Sequence, residues 1–319
     1  EPISTFAVGS WTWPFTSISP VTVAFVGGLL LLGVFVLVER RRGLAGKVVV
    51  VNLRLFGVRS FGAGNAVALL VSLGEFGLLF ALPLFLQSTR GYDAMQTGVI
   101  LTALAAGSFV SSGLGAPLAQ RFGPVRVLQA GMAFEAVGIL ALGFVLSTTV
   151  TGWQLAPWLF VYGMGVGFAT AQLTGVILSE VPVEQSGQAS AVQSTSRQVG
   201  AAFGTAIIGA TLIFGLGSTA TQLEDRGVPA PVAEQVSQAV SSSAGQAIPA
   251  LSAEPDGEVL VEGASQAFAD AIKLVAWVAG GFVAIGLLAS FALPRNAARV
   301  ESEGYEPARK PDADSADDA

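Results

Sequence analysis

The sequence predicts an all-α integral membrane protein, and three observations carry that expectation. Hydrophobic residues make up 52% of the 319 residues and charged residues only 12%, where a soluble domain carries roughly 25% charged residues. Mean hydropathy is +0.65. Several apolar runs reach the roughly 18–20 residues needed to cross a bilayer. A chain of this length has enough residues for a large core in water, but too few charges to cover it. Strands are disfavoured, because lipid-exposed backbone must be satisfied within a helix or a closed barrel. Barrel strands alternate polarity over about ten residues, whereas these runs are longer and uniformly apolar.

Seven spanning helices are expected, at 21–38, 61–86, 96–118, 127–147, 155–178, 199–216 and 271–293. Basic residues orient them, since cytoplasmic loops are enriched in Lys and Arg. With 39–60, 119–126, 179–198 and 294–319 inside, that side holds 13 of the 16 basic residues. They are Arg40, Arg41, Arg42, Lys47, Arg54, Arg59, Arg121, Arg126, Arg197, Arg295, Arg299, Arg309 and Lys310. Arg90, Arg226 and Lys273 fall on the other side. The amino terminus is therefore expected outside and the carboxyl terminus in the cytoplasm of a multi-pass cell-membrane protein. The opening "EPISTFAVGSWTWPF" has no initiator methionine and no basic segment before an apolar one. Together with the odd helix count, it points to sequence upstream of Glu1.

Three regions follow: 1–60 as an external segment, one helix and a basic cytoplasmic linker; 61–293 as a six-helix domain; and 294–319 as a disordered tail. The tail, "ESEGYEPARKPDADSADDA", has no apolar periodicity. Residues 217–270 read as one long external loop. Within it Val232, Val236, Ala239 and Val240 have helical spacing, and a plain surface excursion fits the composition equally.

Composition also removes chemistries. There is no cysteine and no histidine, which excludes disulfides, thiolate or imidazole metal sites and histidine-based triads. No metal, cofactor or enzyme chemistry is expected. The net charge of −6 sits in the outer loop and the tail, so it describes no nucleic-acid surface. "GLAGKV" (43–48) has the wrong spacing for a phosphate loop. An ATP-driven pump needs a nucleotide domain, so any transport is expected to be ion-coupled.

The most specific stretch is "LSEVPVEQSGQASAVQSTSRQVGAAFGTAI" (178–207). Pro182 and Gly187 break the preceding helix, Ser190 to Gln198 carry hydroxyl and amide groups to the membrane surface, and Gly200 and Gly204 permit close helix contact. An ordinary loop before a packing face accounts for the same pattern. The stretch resembles a loop of the fourteen-helix drug:proton antiporters of the major facilitator superfamily, carried by Ser179, Glu180, Val181, Pro182, Gly187, Ala189, Ser190, Thr195, Arg197, Gln198, Gly200, Gly204 and Ala206. "LPLFLQSTRGYDAMQTGVI" (82–100) is similar to that family's outer connection between two helices. "GAPLAQRFGPVRVL" (115–128) is similar to the superfamily's short cytoplasmic loop, with Gly115, Arg121, Gly123 and Arg126 as its conformational-coupling residues. Gln120 stands where that loop usually has an acid, so its charge network is expected to be weakened or to use another partner.

The resemblance implies a major-facilitator-type helical bundle, here the carboxyl-terminal six-helix domain preceded by one extra helix. It implies substrate binding between two halves, the amino-terminal half lying outside this sequence. In that fold the first, second, fourth and fifth helices of a half line the cavity.

Two acids lie deep in the apolar runs, Glu75 in the second span and Glu135 in the fourth. A charged acid at mid-bilayer costs about 3 kcal/mol on insertion scales, so such groups face a cavity, find a partner or hold a proton. Glu75 falls on a lining helix and is the leading proton or substrate candidate, with Asn65, Gln172 and Thr174 as further cavity groups and Thr102 beside them. Glu135 falls on a peripheral helix, where a structural hydrogen bond is expected. Phe76, Phe80 and Phe109 could stack on aromatic substrates or simply pack. The expected function is proton-coupled efflux of drugs or other amphipathic or cationic small molecules, with the bilayer, protons, such a substrate and the absent half as partners. An uptake permease of the same superfamily, or a non-transporting membrane assembly or sensor subunit, are the alternatives.

Overall fold

The computed structural model of the chain describes residues 7–8, 11–12 and 20–294, so the tail expected from 294 lies outside the described residues beyond Pro294. Two compact units divide the chain, Glu1–Gly57 and Val58–Ala319. In the first, β1 (Ala7–Val8) and β2 (Trp11–Thr12) pair antiparallel, a small departure from the all-helical expectation. Helix α1 (Pro20–Leu44) follows and is long and apolar enough to cross a membrane. Its last turn is basic, with Arg41 and Arg42. Beyond it Gly46 takes φ +65°, a left-handed turn that glycine adopts without steric cost. The chain then folds back so that the buried Glu39 carboxylate accepts from the Val50 and Val51 N–H groups at 2.8 and 3.2 Å. Main-chain donors thereby satisfy a buried acid.

The second unit holds six long helices that are also long and apolar enough to span. They are α2 (Arg59–Arg90), α3 (Ala94–Phe122), α4 (Pro124–Val145), α5 (Gly152–Leu178), α6 (Ser186–Leu216) and, after two short helices, α9 (Gly257–Ser290). Helices α2, α6 and α9 pack together, as do α3, α4 and α5; α4 against α9 and α2 against α5 join the two groups. Between apolar surfaces in lipid, association depends on close packing rather than on the hydrophobic effect, and small residues supply it. A Cβ on Gly200 would lie 2.5 Å from the Leu69 carbonyl oxygen, and one on Gly138 would lie 2.6 Å from the Tyr162 nitrogen. The expectation for Gly200 and Gly204 therefore holds: both face the α2 backbone.

The connections explain the spacing of the motifs. Helix α2 ends at Gly91, φ +65°, whose N–H returns to the Leu86 carbonyl. Asp93 then caps α3 through a reciprocal pair with Gln96, at 2.7 and 3.1 Å, as a capping box should. Gly123 at φ +90° turns α3 into α4.

Two boundaries differ from the expectation by more than a few residues. Helix α6 begins at Ser186 rather than at 199, and α9 begins at Gly257 rather than at 271. Residues 217–256 are also ordered, through α7 (Thr219–Glu224), α8 (Ala230–Ser242) and a 3-10 turn at Ile248–Ala253. Of the four residues with helical spacing, Val236 and Val240 are buried, while Val232 and Ala239 point outward and Ala233 takes their place. Leu223, Val240, Ile248 and Phe268 join the buried apolar cluster that continues into Phe85 of α2. Phe85 and Phe268 meet edge to face at 5.7 Å.

Candidate functional site

Glu75 lies 16 residues from the start of α2 and 15 from its end. It is therefore near mid-helix, about 24 Å from the first residue at ~1.5 Å rise per residue. Its carboxylate Oε2 stands 3.8 Å from Nη2 of Arg197 on α6. That is an ion pair without a hydrogen bond, and Glu75 Oε2 has no hydrogen-bond partner among the described residues. The side chain of Glu75 is almost wholly buried and that of Arg197 is partly exposed.

Arg197 is thus misplaced by the sequence reading, which set it in a cytoplasmic loop. It sits 11 residues into α6 and pairs with the middle of α2. The inside-positive bias then rests on the other twelve basic residues. The physical reason is that α6 carries a polar stripe. Ser190, Gln193, Ser194, Arg197, Gln198 and Ala201 recur at helical spacing and, with Phe76 of α2 and Thr174 of α5, line a groove of about 690 Å³. A helix facing a polar groove does not look apolar, so a search for apolar runs starts it too late.

Of the proton or substrate candidates, Thr174 lines this groove and its hydroxyl accepts from Gln193 Nε2 at 2.8 Å. Glu75 lies behind the groove, with Arg197 between them in charge terms. Gln172 is buried at the contact of α3 and α5, where a Cβ on Gly115 would come 3.2 Å from its Nε2. Asn65 is ten residues from Glu75 along α2; its amide donates to the Phe61 carbonyl at 2.9 Å and its Oδ1 is unpartnered among the described residues. Neither Gln172 nor Asn65 reaches the groove lining. Thr102 is exposed and bonds back to Val99 of its own helix. Phe76, Phe80 and Phe109 are all exposed, and Phe76 alone of them borders the groove.

Glu135 departs from its expectation. It is fully buried, and neither carboxylate oxygen has a hydrogen-bond partner among the described residues, so the structural hydrogen bond anticipated for it is absent there. It packs where Gly165 of α5 leaves room: a Cβ on that glycine would stand 2.6 Å from the Glu135 Cα. One turn along, Tyr162 of α5 donates its hydroxyl to the Glu75 carbonyl oxygen at 3.2 Å. Tyr162 carried no signal beyond an aromatic in an apolar run.

The short α3–α4 connection keeps its turn glycine but not a charge network. Arg121 lies 5.3 Å from the Phe122 ring centroid. Among the described residues neither Arg121 nor Arg126 makes an ion pair, as the substitution of Gln120 for an acid foreshadows. In the other motif, Pro182 precedes the 3-10 turn Val183–Gln185, and Gly187 has open space around it. Glu180 has a role that the sequence reading did not assign. Its carboxylate accepts from the Ser60 N–H at 3.0 Å, satisfying one of the free donors at the start of α2. Close by, Arg59 Nε donates to the Ala292 carbonyl beyond α9 at 3.0 Å.

Comparison with known proteins agrees with this architecture. The family profile of the Major Facilitator Superfamily matches residues 2–205. The "Probable actinorhodin transporter" of Streptomyces coelicolor is 32% identical over 210 residues, 64% of this chain and 36% of that protein. Multidrug resistance protein Stp of Mycobacterium tuberculosis is 30% identical over 202 residues, 63% of this chain and 36% of its own length. Methylenomycin A resistance protein of Bacillus subtilis is 30% identical over 192 residues, covering 60% and 40%. The match thus spans well under half of each of these relatives.

Proposed function

Because the chain belongs to the major facilitator superfamily, we propose that it forms part of a proton-coupled exporter of small cationic or amphipathic compounds. The observation that carries this reading is the pair of the nearly buried Glu75 with Arg197, which lines a polar groove on α2, α5 and α6. Charged residues held at mid-membrane mark ion and substrate pathways, and superfamily members bind substrate near the midplane between two halves. The names of its relatives, one transporter and two resistance proteins, support efflux as its direction. Within the second unit, α3 and the span containing α6 bury the smallest share of their apolar stretches, 17% and 28% against 61% for α2. A second helical half is proposed to cover part of those faces and to close the groove. The chain is proposed to sit with Arg121, Arg126 and Pro182 at the cytoplasmic side.

The test uses the protein expressed from its complete gene in proteoliposomes. A proton gradient, acidic on the side that supplies the protons, should drive transport of ethidium, and collapsing the gradient should stop it. Glu75→Gln keeps shape and hydrogen-bonding capacity but cannot ionise. Compared at equal amounts of inserted protein, since Arg197 is left unpaired, it should lose most gradient-driven cation transport while neutral substrates suffer less. Wild-type transport indifferent to the gradient would remove proton coupling from the reading.

A further inference from the structure

We propose that Glu135, and not Glu75, holds the exchangeable proton, and that Arg197 is shared between the two acids; this rests on the proton-coupled reading above. The first observation is a difference in partners. Glu75 has a guanidinium at 3.8 Å, whereas Glu135 is fully buried with both oxygens unpartnered among the described residues. A buried carboxylate with neither a counter-charge nor a donor is far costlier than a neutral acid in the same place. The stable form of this cluster is therefore ionised Glu75, Arg197 and protonated Glu135.

The second observation is register. Helices α4 and α5 pass each other with Gly131 against Ala169, Glu135 against Gly165 and Gly138 against Tyr162. Tyr162 in turn reaches the Glu75 backbone on α2, so α4 and α2 bring their acids to the same turn of α5, and Arg197 stands 3.8 Å from the Glu75 carboxylate. The ionisable groups gathered around this turn of α5 are Tyr162 on α5 itself, Glu75 on α2, which Tyr162 reaches, and Arg197 on α6, through its pair with Glu75. From α9, Ala276 and Trp277 lie against Gly143 of α4, and Gly280 lies against Leu140.

Three ionisable groups with one positive charge make a one-proton switch. With Glu135 protonated the cluster is neutral. When its O–H bond breaks, the proton passes to water in the groove that Arg197 lines, and the cluster carries −1. Arg197, still charged, turns to serve both carboxylates, and the cationic substrate in the groove supplies the missing positive charge. Reprotonation of Glu135 restores neutrality and releases the cation. Glu75 acts as a positioning residue that keeps Arg197 within reach.

The test is read on the purified protein from its complete gene, in nanodiscs. Infrared difference spectra across a pH titration should show the C=O stretch of a buried carboxylic acid in wild type and in Glu75→Gln. The band should vanish in Glu135→Gln and shift in Glu135→Asp, which keeps an acid should the glutamine variant fold poorly. In weakly buffered solution, ethidium should release protons from wild type and none from Glu135→Gln. A band lost from Glu75→Gln but retained in Glu135→Gln, an unshifted band in Glu135→Asp, or ethidium-linked release from Glu135→Gln equal to wild type would each overturn the proposal. If wild type never moves ethidium, the exporter reading fails, yet the infrared band still decides which acid holds the proton.

Discussion

At the scale of residues, the Glu75–Arg197 pair makes a stability prediction independent of transport. Removing Arg197 leaves the nearly buried Glu75 without its counter-charge. The loss falls below the cost for a fully buried pair, about 3–5 kcal/mol, because Arg197 is partly exposed and no hydrogen bond joins the two, whereas removing both is often nearly neutral. Arg197→Gln should therefore lower the thermal midpoint of the detergent-solubilised protein markedly. Adding Glu75→Gln to it should recover much of that loss, although the single Glu75→Gln also destabilises. Equal midpoints for Arg197→Gln and the double variant would mean that the 3.8 Å approach carries little energy. The same geometry explains why Gly165 matters: any larger side chain there meets the Glu135 backbone, and overpacking of this kind costs about 1–3 kcal/mol or more.

At the scale of elements, the spans were largely legible in the sequence, since uniform apolar runs and glycine-marked turns such as Gly91 and Gly123 bound them. The first half of α6 was not. Ser190, Gln193, Ser194 and Arg197 are polar because they face a groove, and polarity was read as loop although the 3.6-residue period was present. Glu75 was legible as an isolated acid, but its partner was not, because sequence distance hides a contact between α2 and α6. The region 217–256 was obscure for another reason: an Ala-, Ser- and Gln-rich chain has weak periodicity, and its order comes from packing on the extended α9. The absence of cysteine allows a direct check of the α6 boundary. Spin labels on single cysteines from Ser186 to Gln198 should vary in mobility with a period near 3.6 residues, with Ala189 and Gln193 immobile. Uniformly mobile labels would restore the loop.

At the scale of the whole molecule, the proposed membrane orientation rests on the basic residues and the motif order, and it is open to a direct test. Glu184, before α6, and Glu234, on α8, are both exposed, and in a seven-span arrangement they lie on opposite sides. An impermeant maleimide added outside cells should label Glu234→Cys and spare Glu184→Cys until the membrane is opened. Labelling of Glu184→Cys in intact cells would turn the topology over.

The arginine about a third of the way along α6 also bears on how the protein is made. An arginine costs about 2.5–3.5 kcal/mol on insertion scales at helix centre and less toward the ends, and the half of α6 that carries it is polar. During synthesis α2 leaves the ribosome long before α6, carrying an acid that is equally unwelcome in lipid. Each helix is a poor client of the insertion machinery alone and a good one beside the other, since pairing removes both penalties at once. The chain therefore has a reason to retain α2 near the lateral gate until α6 arrives, and assembly of the bundle is ordered by two charges that meet only when the fifth of its six long helices is complete.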